Sequence, residues 1–222
     1  MSERPPNAGD WTLPRSAIGG LSWPPLPSAE AVRLLALGQQ LDESQWWPPE
    51  RLRAHQLRQL DALLAHAASL PFYRERLASA GLRKGTPAKW ESFARLPPVT
   101  RRDVQTDGAR MRSDRYPKMH GDIVRVRTAG ATAMPASFDL TTVSVAIAEA
   151  FALRGHDWRG ERPEGKLALI LSLRAADGSE PVSQNAPHWG RPVAPVYPTG
   201  PAVRLGIGVE TSRQVEWLRR EA

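Results

Sequence analysis

The sequence predicts an α/β fold in which a helical N-terminal layer packs on the start of a mixed β-sheet. Apolar residues at helical spacing dominate the first half of the chain, whereas short apolar runs bounded by glycine and proline appear in the second half. The run from Lys166 to Leu173 is typical of a buried strand, and a helical pattern separates it from an earlier strand at Ile123 to Arg127.

The composition is close to that of an ordinary globular protein. The chain has 222 residues, of which 41% are apolar and 24% charged, enough for one sizeable domain or two small ones. No run approaches the roughly 18 apolar residues of a membrane span, and the polar start, Met1 to Pro6, lacks the apolar stretch of a secretory signal. We therefore predict a cytoplasmic protein. Cysteine is absent, which excludes disulfides, thiolate zinc sites and cysteine nucleophiles.

The charge balance is strongly basic, with a formal net charge of +7 and a pI near 10.5. Arginine carries nearly all of it, because the only lysines are Lys84, Lys89, Lys118 and Lys166. Either the source proteome is rich in arginine or the partner is a polyanion such as nucleic acid. The arginines are scattered, and no aromatic-interleaved basic run appears, so nucleic-acid binding is the less favoured hypothesis.

Residues 1–45 are predicted to be a proline-rich N-terminal extension that carries a short helix. Its prolines are Pro5, Pro6, Pro14, Pro24, Pro25 and Pro27. They remove backbone donors and disfavour helix and sheet. Ser28 is a suitable N-cap for a helix over about residues 29–41. The remainder, 46–222, is predicted to be one large domain that is incomplete.

Four helical segments follow in the first part of that domain. A long amphipathic helix is predicted over 50–69, and a second over 72–80 with Gly81 as its C-terminal cap. Trp90, Phe93 and Leu96 keep a three-residue spacing on a short helix, and Thr100 is a suitable N-cap for residues 101–106. We interpret Asp61 and Glu75 as solvated helix charges.

The second part alternates strands and helices. A strand over 123–127 leads into a small-residue loop and a returning strand over 136–140. A helix is then predicted from Thr141 or Thr142 to Arg154, ended by Gly155. After the strand at 166–173 the sequence predicts a loop-rich stretch.

The last segments are a strand over 203–209 and a helix. Thr211 and Gln214 match a capping box, with Thr211 as N-cap. This helix carries no C-terminal cap signal before Ala222. We therefore expect the chain to be truncated.

The order of these segments resembles the opening of phenylacetate–CoA ligases and their relatives in capsule biosynthesis. The resemblance rests on Leu63–Ala67, Pro71–Arg76, Gly81-Leu82, Phe93–Pro97 and Thr100–Asp103. In the family pattern, a helix is followed by a basic helix that starts with Pro-Phe-Tyr. Next come a short segment that ends in Leu-Pro and a segment that starts with a sequence like Thr-Lys-x-Asp. Together with the later segments, the resemblance covers about residues 50–222.

The family places a phosphate-binding loop of the form Thr/Ser-Ser-Gly-Thr-Thr-Gly-Lys-Pro after its strand. The equivalent here runs from Thr128 to Pro135. Four positions match: Thr128, Gly130, Thr132 and Pro135. Four depart: Ala129, Ala131, Ala133 and Met134, the last at the position of the loop lysine. The resemblance implies that phosphates are held by Thr128, Ala129, Gly130, Ala131 and Thr132.

The resemblance implies that the fold is a truncated N-terminal portion of an adenylate-forming enzyme fold. The activity it implies is that of an ATP-dependent, AMP-forming acid–thiol ligase. In that family a carboxylate, here an aromatic or other organic acid, attacks the α-phosphate of ATP, and coenzyme A then displaces AMP. ATP, Mg²⁺ and coenzyme A are the implied cofactors. The family's other catalytic groups have no counterpart in this sequence, so we assign no catalytic residue and expect the chain alone to be inactive.

Two alternatives stay open. The alanine-rich loop also fits a non-catalytic remnant or a subunit that depends on a complementary chain, and the loop by itself also fits a plain turn between two strands. The five histidines (His55, His66, His120, His156 and His188) show no metal-like spacing, so no metal site is predicted. No membrane partner is predicted.

Overall fold

The computed structural model describes residues 13–82, 85, 87–128, 135–173 and 183–221, and its fold is mixed α/β. Within these residues the helices are α1 (Ala29–Ser44), α2 (Pro49–Ala67), α3 (Pro71–Ser79), α4 (Trp90–Phe93), α5 (Arg101–Asp107), α6 (Thr142–Trp158) and α7 (Thr211–Glu221). The strands are β1 (Ile123–Arg127), β2 (Ser137–Thr141), β3 (Leu167–Leu171), β4 (Ser183–Ala186) and β5 (Ala202–Gly206). None of the described helices combines the length and apolar character needed to cross a membrane.

The chain divides into two compact units. One comprises residues 40–146 and is called the hairpin unit here, because it contains β1 and β2. The other comprises residues 1–39 and 147–222 and is called the sheet unit, because it contains the other three strands. The described strands thus form two separate sheets.

The helices of the hairpin unit pack around a small apolar core. Leu77, Ala80 and Leu82 are buried together, with Leu64 and Leu96 packed against them. Proline at the first positions of α2 and α3 suits those helix starts, since the missing N–H would have no partner inside the helix. Helices α2, α3 and α5 agree with their predicted bounds to within two residues, whereas α4 ends at Phe93 and does not include Leu96 as predicted.

Side-chain contacts fix the connections between these helices. The Asp61 carboxylate accepts a hydrogen bond of 2.5 Å from the Ala88 backbone N–H, so this residue holds a loop and is not the freely solvated charge that we predicted. Arg76 donates to the carbonyl oxygens of Pro97 and Pro98 at 3.2 and 2.9 Å. The predicted cap at Thr100 is confirmed, and it forms a full capping box with Asp103.

The sheet unit is built on a three-stranded mixed sheet. The strand order is β3-β5-β4, with β3 parallel and β4 antiparallel to the central strand β5. β4 lies within the stretch that we predicted to be loop, and it was missed because its polar sequence, Ser-Gln-Asn-Ala, has no apolar alternation. Trp189 is buried beside it, and its indole N–H donates to the Gly165 carbonyl at 2.8 Å.

The prediction that Gly155 ends α6 is wrong, because the helix continues to Trp158. Gly160 takes the left-handed conformation after it, with φ of +63°. The exposed carbonyls of the last turn accept from the next backbone N–H groups, and Glu161 contacts both His156 and Arg159. A glycine inside a helix costs about 1 kcal/mol, which these contacts at the C-terminus offset.

The prediction that Thr211 is the N-cap of α7 is also wrong. The helix begins at Thr211 itself, so this residue is not the N-cap. Gln214 reaches back past the helix start and donates to the carbonyls of Ile207 and Val209 at 3.1 and 2.6 Å. Its side chain therefore ties the helix to the end of β5.

Candidate functional site

The predicted phosphate loop is carried by an antiparallel hairpin. β1 and β2 pair from Ile123 opposite Thr141 to Arg127 opposite Ser137. Two contacts then close the base of the loop: the Thr128 N–H donates to the Ala136 carbonyl at 2.9 Å, and the Ala136 N–H donates to the Thr128 hydroxyl at 3.0 Å. Of the predicted site residues, Thr128 is therefore at the base, where its hydroxyl is engaged.

The other predicted phosphate-binding residues, Ala129, Gly130, Ala131 and Thr132, lie outside the described residues. The loop-lysine position, Met134, does as well. The described part of the site is consequently the hairpin beneath the loop.

The hairpin has one polar and one apolar face, because side chains alternate along each strand. Arg125 and Arg127 lie on the polar face, opposite Asp139 and Ser137 of β2. The apolar face is formed by Val124, Val126, Phe138 and Leu140. Since the loop follows directly after Arg127, the polar face brings cationic side chains close to it.

Asp139 is the centre of a charged cluster on the polar face. Its side chain is only 8% exposed, and its carboxylate accepts from Arg125 Nε and Nη2 at 2.7 and 3.2 Å. Arg112 approaches the same carboxylate, with 3.8 Å between Nε and Oδ2, and donates to the Ser137 carbonyl at 3.4 Å. The Tyr116 hydroxyl completes the set at 3.4 Å from Oδ2.

These contacts shift the pKa values of Asp139 and Tyr116. The hydrogen bond from Arg125 lowers the pKa of Asp139 below its ordinary value, against the opposing effect of burial. Burial, followed by the negative charge of Asp139, raises the pKa of Tyr116. At neutral pH the carboxylate is therefore ionised and the phenol is neutral, so Asp139 acts as an anionic anchor for two arginines.

The lowered pKa of Asp139 predicts a loss of stability in acid. A carboxyl group whose pKa is lower in the folded state stabilises the fold above its unfolded pKa, about 3.9, and this stabilisation is lost as the pH falls through the folded pKa. Urea unfolding between pH 7 and pH 2.5 measures it. We expect the free energy of unfolding to fall less steeply below pH 4 in Asp139→Asn than in the unsubstituted chain. Parallel falls in both chains would contradict the lowered pKa of Asp139.

Arg127 differs from the two clustered arginines. It is exposed, and its guanidinium makes no hydrogen bond or ion pair with the part of the chain that the structure describes. Three arginines thus share the polar face of the hairpin with one clustered carboxylate. Sequence reasoning did not identify Asp139, which the hairpin pairing places opposite Arg125.

A second location lies in the sheet unit. A cavity of about 370 Å³ is lined by polar residues that include Arg15, Ser28, Glu30, His188 and Arg191. Arg191 bridges two carboxylates: it forms a bidentate pair with Glu149, at 2.6 Å for each contact, and it also contacts Glu30. The charge of Arg191 is therefore offset by two carboxylates, so this cavity lacks the excess positive charge of the hairpin.

No group of three or more histidine, aspartate or glutamate side chains within the described ranges is placed to hold a metal ion. Comparison of the chain with protein-family models, with curated proteins and with solved structures gives no match. The case for a function therefore rests on the residues and geometry of the hairpin.

Proposed function

We propose that this chain is the nucleotide-binding N-terminal portion of an ATP-dependent, AMP-forming acid–thiol ligase. The observation that carries the proposal is the hairpin: a loop of small residues, closed at its base by Thr128 and Ala136, next to a face with three arginines. Backbone N–H groups of a small-residue loop can surround phosphate oxygens, and nearby arginines counter their charge.

The hairpin residues would bind and orient the triphosphate of ATP as substrate. In the proposed reaction a carboxylate oxygen of an organic acid attacks the α-phosphorus, pyrophosphate leaves, and the thiol of coenzyme A then displaces AMP from the acyl-adenylate. Among the described hairpin residues, Asp139 already accepts from Arg125 and Tyr116, so it is not available as a Mg²⁺ ligand. We therefore assign no metal-binding role within this cluster.

A second candidate is a non-catalytic or partner-dependent subunit of the same family. Val124 and Phe138 on the apolar face of the hairpin are 55% and 43% exposed, which is unusual for a hairpin of a self-sufficient domain. The alanines and the methionine of the loop also remove hydroxyls, a glycine and a cation that would help to hold phosphate. This candidate predicts a folded chain that binds ATP only when a complementary chain is present.

Substitution of Thr128 tests whether the hairpin is the nucleotide site. Thr128→Val leaves the buried Ala136 N–H without its 3.0 Å partner and loosens the base of the loop. We expect the affinity for ATP in the presence of Mg²⁺ to fall about tenfold, the equivalent of one lost hydrogen bond. Isothermal titration measures it.

The matched control is Thr106→Val, which removes an exposed hydroxyl that bonds to Arg102 in α5. This control should retain the affinity of the unsubstituted chain. Equal ATP affinities for both variants, in chains whose circular dichroism shows them to be folded, would exclude the hairpin as the nucleotide site.

A further inference from the structure

The polar face of the hairpin carries more positive charge than its own contacts neutralise. Arg112 and Arg125 share the single carboxylate of Asp139, and Arg127 has no partner among the described residues. The cluster therefore has an excess of two positive charges. Such an excess on adjacent side chains favours a multivalent anion over a monovalent one.

The three arginines differ in how many of their N–H donors already form contacts with described residues. Arg125 uses Nε and Nη2 on Asp139, and Arg112 uses Nη2 on the Ser137 carbonyl, so both are held in fixed orientations. Arg127 is two residues from Arg125 on the same strand face, which separates their backbones by about 7 Å. It is thus the one guanidinium of this face that forms no hydrogen bond or ion pair with another described residue.

We propose that Arg127 is the residue that binds the polyphosphate of the substrate. Asp139 holds Arg125 and Arg112 nearby, where they add positive charge. This inference rests on the proposed function and adds the group that selects for a polyphosphate. It assigns to Arg127 the counter-charge that Met134 cannot supply within the loop. Arg127 is expected to add little to the affinity for AMP, which carries a single phosphate, and much more to the affinity for ATP.

The cavity of the sheet unit fits a polyanion less well. Arg191 gives its Nε, Nη1 and Nη2 to Glu149 and Glu30, so few of its donors remain for a ligand. Arg15 is the other arginine that lines this cavity, where the Glu30 carboxylate also lies. For a multivalent anion the hairpin is therefore the better site.

The test is isothermal titration of the full chain with inorganic tripolyphosphate and, separately, with ATP and Mg²⁺. Tripolyphosphate has no base or ribose, so it reports on the phosphate-binding groups alone, and the Arg127 variants isolate the contribution of that arginine. We expect Arg127→Ala to weaken both ligands by about 10- to 100-fold, as expected for a lost charge-assisted hydrogen bond. Arg127→Lys keeps the charge but not the two-pronged set of N–H donors, so it should lose less affinity than Arg127→Ala.

Arg53→Ala is the matched control, since it removes an exposed arginine of α2 with the same change in net charge. Equal affinities for Arg127→Ala and Arg53→Ala, with ATP still bound, would overturn the role of Arg127 but leave the proposed function standing. Arg127-dependent binding of tripolyphosphate without any binding of ATP would support the cationic site and overturn the proposed function. No binding of either ligand by the folded chain would overturn both.

Discussion

Replacement of Arg191 by alanine is expected to lower the free energy of unfolding by about 2 kcal/mol, between the ranges for exposed and for buried ion pairs. The Glu149 side chain is 14% exposed and loses both of its 2.6 Å contacts, while Glu30 loses its partner as well. The value lies below the range for a fully buried pair because the Arg191 side chain is half exposed and is therefore screened by solvent. These hydrogen bonds, first those to Glu149 and then those to Glu30, raise the pKa of Arg191 above its ordinary range.

The measurement is urea unfolding at pH 7, and the control is Arg162→Ala. Arg162 is an exposed arginine of the same unit, and its side chain forms no hydrogen bond or ion pair with the described residues. Adding Glu149→Gln to Arg191→Ala should restore part of the stability, because it removes the charge left without a partner. Equal stabilities for Arg191→Ala and Arg162→Ala would show that the bridge does not stabilise the fold.

Leu34→Ala is expected to destabilise the chain by about 3 kcal/mol, within the range for truncating a buried leucine. Leu34 lies on α1 with 1% of its surface exposed, next to the fully buried Ala31. The cost combines lost burial with the cavity that remains when the surroundings relax only in part.

Val32→Ala provides the contrast on the same helix. Val32 is 51% exposed, so its truncation should change stability by no more than about 0.5 kcal/mol. Unfolding curves for both variants measure the difference. Similar small changes in both would mean that α1 does not contribute a packed face to the core of the sheet unit.

The sequence predicted the helices of the hairpin unit well because strong local signals agree there. Proline at helix starts, the Thr100 capping box and leucines at helical spacing all indicate the same segments. The hairpin was also predicted, since Ile123 to Arg127 alternates and a small-residue loop follows. Local patterns of this kind do not depend on distant parts of the chain.

Other features depend on contacts between residues distant in sequence, which no local pattern reports. Strand β4 is polar and is held by pairing with β5, and α6 passes Gly155 because its end is satisfied by later residues. The same holds for the candidate site. Arg112 precedes Asp139 by 27 positions, and only the folding of the chain between them brings its Nε within 3.8 Å of that carboxylate.

Isothermal titration of the purified, folded chain with ATP and Mg²⁺, at low and at physiological salt, tests the central claim most directly. The proposal predicts saturable binding that weakens as salt screens the arginines of the hairpin, with a dissociation constant of about 1 mM or below, which corresponds to roughly −4 kcal/mol. Absence of any binding heat at both salt concentrations, from a chain with the expected helical circular dichroism, would contradict it and leave the partner-dependent or non-catalytic subunit as the better account.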